Sequence, residues 1–271
     1  MDKKKRFNEI LRKIKTIEIQ GARNVAKSAL EAYLLLPSKD SKEKLLSSRP
    51  TEPMMFHVLE LAEKGVSKNE ILNHFDFSQK EINKHVFNSI NNGDTIFTHC
   101  HSTNVVNALI YSKKKGKKFK VYNTETRPLF QGRKTARELK SNGIDVTMFV
   151  DSAAALAIEK ENKEDKIYVN KVFLGADALL KKGIINKIGS GMFAELARKN
   201  KIPVYIIADS WKFTKNKLKL EQRNINEVWD KAPKNIKIKN PAFEFVKRKY
   251  ISGIISELGL MKYKKFIKEM K

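Results

Sequence analysis

The sequence is short of cysteine: Cys100 stands alone among 271 residues. That excludes an internal disulfide and a cysteine-based metal cluster. Long apolar runs are missing as well. None approaches the ~18 residues that a membrane-spanning helix needs. The N-terminal stretch MDKKKRFNEI is charged and lacks the apolar segment of a secretory signal. A cytoplasmic protein without a membrane partner is the expectation. No Gly-x-Gly-x-x-Gly follows the first expected strand, so the dinucleotide fingerprint is absent, and the lack of a Walker A loop argues against an ATPase. Zinc-finger spacing, RNP-type sequence and basic-region heptads are also missing, which leaves no recognisable nucleic-acid module.

Negative charge is scarce too. Asp and Glu number 30 against 55 Lys and Arg, a net charge of +25 with pI near 9.9. Such a balance favours anionic partners: nucleic acid, phosphorylated metabolites or acidic proteins. The excess is mostly lysine, however, and it is scattered from end to end. The runs at 113–118 and 264–265 read as solvated loop and helix ends, so a general bias in residue usage accounts for most of it. What is present suffices for a core. The chain is 41% hydrophobic, long enough for one large domain or two modest ones.

Residues 1–92 read as a helical domain. Phe7, Ile10, Leu11, Ile14 and Ile17 recur at helical spacing, and Val25, Ala26, Ala29, Leu30 and Tyr33 share a face of a second helix that Pro37-Ser38 breaks. Two further helices are expected over 53–64 and 67–75. Ser67 and Glu70 form a capping box, and Ser78 and Glu81 repeat that signature before Ile82, Val86 and Ile90. Asn91-Asn92-Gly93-Asp94 marks a turn and a domain boundary. From there to residue 271 the pattern alternates. Strands are expected at 95–98, 119–122, 145–150, 172–174 and 203–208, with helices at 104–111, 134–141, 152–158 and 191–199 between them. The expected fold is α/β: an N-terminal helical domain followed by a Rossmann-like, mostly parallel doubly wound sheet. Residues 211–240 read as an irregular, lysine-rich arm, placed at an oligomer contact, and 250–260 and 263–270 as C-terminal helices.

If the sheet is so arranged, the carboxyl ends of five strands meet one crevice. They deliver His99-Cys100-His101-Ser102, then Glu125-Thr126-Arg127-Pro128 with Gln131-Gly132-Arg133, then Asp151-Ser152, Asp177, and Asp209-Ser210. Cys100 sits at a strand-to-helix junction, where helical N–H groups and a nearby cation favour thiolate; alternatively it is a small buried hydrophobe. His99, Cys100 and His101 cannot chelate one ion from successive positions, so no metal site is expected. Asp177 is either a general acid or base whose pKa burial raises, or a helix N-cap. Arg127 and Lys187 can bind phosphate, and Ser190-Gly191 at a helix start offers a further anion site.

These residues together resemble one superfamily. The segments are Thr98 to Ser102, Glu125 to Pro128 with Gln131-Gly132, Val150 to Ala153, Gly175-Ala176-Asp177, Ile185 to Gly189, Gln20-Gly21-Ala22, Arg49-Pro50-Thr51, Asp209 to Phe213 and Asn240 to Phe243. The superfamily contains the regulatory subunits of translation initiation factor 2B and two sugar-phosphate isomerases, for 5-methylthioribose 1-phosphate and ribose 1,5-bisphosphate. The resemblance implies Cys100 and Asp177 as an acid–base pair, with Arg49, Gln131, Asn186 and Lys187 on substrate, Gly21 and Ala22 near a phosphate and Ser102 as a further phosphate contact. It departs at Gln20, where the family usually has Arg, and at His101, where Asn is usual. The length of the chain favours the ribose 1,5-bisphosphate branch. No metal or redox cofactor is implied. A homodimer or hexamer is, and under the alternative, non-catalytic reading, so is contact with a translation initiation factor.

Overall fold

The structure, a computed structural model, describes residues 2–159 and 169–270. Five helices open the chain: α1 (Lys3–Lys15), α2 (Ala22–Leu35), α3 (Lys39–Ser48), α4 (Pro53–Glu63) and α5 (Lys68–Ser89). The order then alternates through β1 (Asp94–Thr98), α6 (Thr103–Lys114), β2 (Phe119–Thr124), α7 (Gln131–Ser141), β3 (Asp145–Phe149), α8 (Ala154–Ile158) and β4 (Lys171–Leu174). A short pair follows, β5 (Ala178–Leu180) and β6 (Gly183–Lys187), then α9 (Ser190–Lys199) and β7 (Val204–Ile207). The chain ends with β8 (Phe243–Lys247), β9 (Gly253–Ser256), β10 (Gly259–Met261) and α10 (Tyr263–Glu269).

The main sheet has the order β10-β9-β7-β4-β1-β2-β3. Every pairing in it is parallel except β10 on β9. The chain therefore winds outward in both directions from β1 and β4, and the order reverses between them. In open α/β sheets ligands bind at that reversal, outside the carboxyl ends of the strands. Alternation along β1 sends Phe97 to one face, with Phe193 and Phe266, and Ile96 to the other, with Val105 and Ile82. Both faces are thus covered by apolar helices, as a parallel sheet requires.

The sequence patterns place α1, α2, α4, α6, α7, α9 and five of the six parallel strands (β1, β2, β3, β4 and β7) within a few residues of the expected spans. Three differences have physical causes. First, α5 is one 22-residue helix, not two. The Ser67–Glu70 capping box forms, but Ser78 is fully buried mid-helix and its hydroxyl donates to Glu257 (3.3 Å). The N-terminal half of α5 packs Ile71 and Phe75 on α2 and α4, and its C-terminal half packs Ile82, Val86 and Ile90 on the sheet. Second, residues 250–260 are not helical. Ile254 and Ile255 belong to strand β9, and Gly259 turns with φ +107° into β10; β-branched residues bounded by glycine prefer this pleated edge. Third, β5, β6 and β8 form a separate antiparallel sheet that the apolar pairs Leu179-Leu180 and Ile184-Ile185 did not distinguish from helix. Among the described residues no helix is long and apolar enough to cross a membrane.

Candidate active site

A crevice of about 160 Å³ opens at the order reversal. Its lining combines the ends of β1 and β4 with the start of α2, the loop before α4 and the arm. Gly21, Ala22, Arg49, Cys100, Ser102, Gln131, Asp177, Asn186 and Lys187 all line it. Arg127 does not. Its backbone N–H is taken by Asp151 (2.6 Å), and its guanidinium donates to the Val228 carbonyl (3.2 Å) and stacks on Phe130. Asp151 also accepts from the Thr126 N–H (2.9 Å), so this strand end serves the loop and not the crevice.

The local folding explains why these residues converge. Gly21 takes φ +85°, a conformation open to glycine, and starts α2 without a side-chain cap or an acidic residue in the first turn. The uncapped N–H groups of α2 and their dipole therefore face the crevice beside Gln20 and Arg23. Ser102 begins α6 in the same manner, with no side-chain cap bond and no acid in the first turn. A Cβ on Gly175 would lie 2.6 Å from Ser102, so only glycine lets the end of β4 approach the start of α6 this closely.

Cys100 is held at φ +68°, an uncommon conformation for a residue with a side chain. Its N–H donates to Thr126 Oγ1 (3.0 Å), and its carbonyl accepts from the Thr135 hydroxyl (2.8 Å). The thiolate expected from its helix-end position is not favoured here. Burial pushes the thiol up to about 11, against the downward pull of Lys187 and the His101 N–H. His99 is no base for it. His99 Nε2 donates to the Ile188 carbonyl (2.8 Å), Nδ1 accepts from Thr124, and burial keeps the ring neutral with a pKa of about 4.

Asp177 follows β4 and precedes β5, so it caps no helix. Burial raises its pKa, although Lys212, Arg49 and Lys187 pull the other way. The Ser190-Gly191 anion site is occupied by the protein itself: the Gly191 N–H donates to Glu244 (2.8 Å), and the Ser190 hydroxyl donates to the Lys187 carbonyl (2.6 Å).

Two charged lining residues, Glu52 and Arg223, escaped the sequence reading, and Lys212 entered it only within the Asp209 to Phe213 segment, with no role. Glu52 precedes α4, Lys212 follows β7 and donates to the Ala176 carbonyl (2.7 Å), and Arg223 comes from the arm. Together with Arg49 they build a ladder of alternating charge. Glu52 accepts from Arg49 Nη2 (2.8 Å), Arg49 Nε donates to Glu221 (2.8 Å), and Arg223 Nη2 reaches the other Glu221 oxygen (3.2 Å). The arm is thus a wall of the crevice. Among the described residues, six buried side-chain polar atoms have no partner in the protein, and five belong to the lining: Arg49 Nη1, Glu52 Oε2, Gln131 Oε1, and Arg223 Nε and Nη1. Native folds leave few such atoms unpaired, so their concentration in one place marks a ligand site.

Glu52 is pushed up to about 8 by burial and by Asp177, and the Arg49 contact does not restore an ordinary carboxylate. A folded-state pKa above the unfolded value favours the protonated form. Its contribution to stability is full below about pH 4.5 and is lost as pH rises through about 8. Thermal unfolding at pH 5, 7 and 9 is expected to show Glu52→Gln flattening this fall, by on the order of a few kcal/mol at pH 9. Equal pH slopes in the two proteins would exclude this account of Glu52.

Comparison with known proteins finds relatives that match nearly the whole chain. The ribose 1,5-bisphosphate isomerase of Methanocaldococcus jannaschii is 34% identical, over 94% of this chain and 91% of that protein. The methylthioribose-1-phosphate isomerase of Thermosipho melanesiensis is 29% identical, over 95% and 87%. The crystal structure of the Pyrococcus horikoshii translation initiation factor eIF-2B superposes with a TM-score of 0.81 at 27% identity, covering 95% of this chain and 97% of that one. Residues 36–263, which run from the end of α2 to the start of α10 and carry the crevice lining except the start of α2 and the loop before it, match the Initiation factor 2 subunit family, and the chain belongs to that family.

Proposed function

We propose that the chain is an aldose–ketose isomerase that converts ribose 1,5-bisphosphate to ribulose 1,5-bisphosphate. The observation that carries this reading is the crevice that joins two proton-holding groups, Cys100 and Asp177, to unpartnered guanidinium nitrogens and two uncapped helix starts. An anion at each end and a proton relay between them are what this substrate needs. The similarity to the Methanocaldococcus jannaschii isomerase supports the same choice.

Arg49, Lys187 and the start of α2 at Gly21-Ala22 bind one phosphate, and Ser102 at the start of α6 binds the other. Gln131 and Asn186 orient the sugar. Asp177, neutral because it is buried, donates its proton to the ring oxygen, and the C1–O4 bond breaks. Cys100 as thiolate removes the proton from C2, which leaves a C1–C2 double bond and a C2 hydroxyl. The Asp177 carboxylate takes the proton of that hydroxyl, and the Cys100 thiol returns its own to C1. C2 ends as a carbonyl and C1 as a CH2, with both groups restored. The helical domain over residues 1–92 excludes water from the intermediate. A homo-oligomer, dimer or hexamer, working in the cytoplasm completes the reading.

The test is direct. Ribose 1,5-bisphosphate incubated with the protein is expected to give ribulose 1,5-bisphosphate by NMR, and no conversion would overturn the assignment. The pH dependence offers a second test. Activity requires Asp177 protonated, the form that burial favours, and Cys100 ionised, the minority form below about pH 11. The profile of kcat/KM is therefore bell-shaped. Its rising limb belongs to Asp177 and is displaced upward with that group's raised pKa, and its alkaline limb lies near pH 11, where Cys100 titrates. A rate that goes on rising above pH 11 would exclude Cys100 as the group behind that limb.

A rival reading is a regulatory subunit that contacts translation factors. It rests on the superposition with the Pyrococcus horikoshii initiation factor. The same NMR experiment, repeated with 5-methylthioribose 1-phosphate, separates the two isomerase activities from that rival.

A further inference from the structure

The lysine-rich arm holds one buried arginine that the proposed reaction leaves without a task. Residues 221–223 pair with 240–242 through the Arg223 N–H to the Asn240 carbonyl (3.0 Å) and the Ala242 N–H to the Glu221 carbonyl (3.3 Å). The arm is fastened further by Asn240, whose side chain donates to the Asn224 carbonyl (2.8 Å) and to Glu227 (3.0 Å). Arg223 therefore enters the crevice from a held backbone, over the face of Phe243 (5.9 Å). Its side chain is only 12% exposed, and its one ion pair uses Nη2, through Glu221. Nε and Nη1, two donors of the guanidinium fork, are buried with no partner in the protein. Glu221 sets this position, because its other oxygen is already taken by Arg49 (2.8 Å) and Thr51 (3.1 Å).

Two unpaired charged donors on one guanidinium can each give a charge-assisted bond to an oxygen of a phosphate or carboxylate. Charge alone does not account for burying a guanidinium here, since removing it from water is costly without full hydrogen bonding. The surroundings select which end of a phosphosugar it meets. Arg223 lines the crevice with Lys187 and Cys100, and it shares the Glu221 carboxylate with Arg49. Arg49 supplies a further unpartnered nitrogen, Nη1, to the same region.

We propose that Arg223 is a specificity-determining residue: with Arg49 and Lys187 it binds the phosphate on C1, next to the reacting carbons, and the arm exists to deliver it. This rests on the isomerase reading for the identity of the sugar, but its test does not depend on turnover. Binding of ribose 1-phosphate and ribose 5-phosphate is measured by calorimetry for the wild type, Arg223→Met and Arg223→Lys, with thermal unfolding as the control for folding. Arg223→Met is expected to weaken ribose 1-phosphate by about 10–100-fold, the worth of charge-assisted bonds to one side chain, and ribose 5-phosphate by less than about 3-fold. Arg223→Lys recovers part of the loss, since it keeps the charge without the fork. Unchanged ribose 1-phosphate binding in Arg223→Met overturns the proposal, as does an equal loss for both sugars or a wild type that binds neither. A selective loss in Arg223→Met with a wild type that never forms ribulose 1,5-bisphosphate supports Arg223's role and overturns the isomerase reading instead.

Discussion

Cys100→Ser is expected to lower kcat for ribose 1,5-bisphosphate by about 10²–10⁴-fold, the usual worth of a positioned acid or base, with KM and thermal stability close to wild type. The substitution keeps the shape of the side chain and changes its acidity. The buried thiol already titrates at about 11, and a serine hydroxyl ionises far higher, so the population able to remove the C2 proton falls steeply. The backbone gives the same residue little freedom to do anything else. It sits at φ +68° and is pinned by Thr126 and Thr135, an arrangement that costs on the order of 1–3 kcal/mol. Strain kept at a crevice, where a relaxed loop would pack a cysteine as well, is the mark of a position set for function. Cys100→Ala serves as the control for volume. If Cys100→Ser retained more than a tenth of wild-type turnover, the proton shuttle would have to be assigned to another group.

The parts of this molecule that the sequence shows plainly are those written in periodic patterns. Five of the six parallel strands and the helices between them follow from short β-branched runs and apolar repeats. Alternation brought their ends to one crevice without giving a strand order; the sheet itself sets β1 beside β4. The antiparallel additions were not legible, because a pair such as Ile184-Ile185 satisfies a strand and a buried helix equally. Nor was the continuity of α5. Ser78 has the spacing of a cap, but a hydroxyl inside a helix can serve a distant partner, here Glu257.

In the site, motif resemblance found every residue it assigned to substrate, held Lys212 only inside the Asp209 to Phe213 segment with no role, and missed Glu52 and Arg223; the reading of basic residues added Arg127, which lies outside. Arg127 and Arg223 show why. Both are arginines in irregular stretches, next to other charges, and nothing local separates them. The difference is tertiary: Asp151 and Val228 hold Arg127 away, whereas Glu221 and the pairing with residues 240–242 turn Arg223 inward. The sign of the Cys100 shift was missed for a related reason. Proximity to a helix start can be read from spacing, but the burial that overrides it cannot.

Asp177→Asn is expected to reduce turnover by a similar factor of about 10²–10⁴ while making the protein more stable at alkaline pH. The two effects have one cause. Asp177 is half-buried in the crevice wall, and desolvation there raises its pKa against the combined pull of Lys212, Arg49 and Lys187, so the fold favours the neutral acid. A carboxyl whose folded pKa lies above its unfolded value contributes most at low pH. That contribution is lost as pH rises through the folded pKa, where the buried group ionises. Asparagine has nearly the shape of the neutral acid and never ionises, so the variant escapes that loss. The melting temperature of Asp177→Asn should therefore exceed that of the wild type at pH 8–9 and converge with it toward pH 4. The same amide has no proton to give the ring oxygen and cannot take one back from the C2 hydroxyl, hence the loss of turnover with sugar-phosphate binding held within a few-fold. A variant both inactive and less stable at pH 9 would mean that Asp177 is ionised and tied into the Arg49–Lys212 charges as a structural anion. Lower activity with higher alkaline stability would identify a carboxyl that the fold keeps at a cost because the reaction requires its proton.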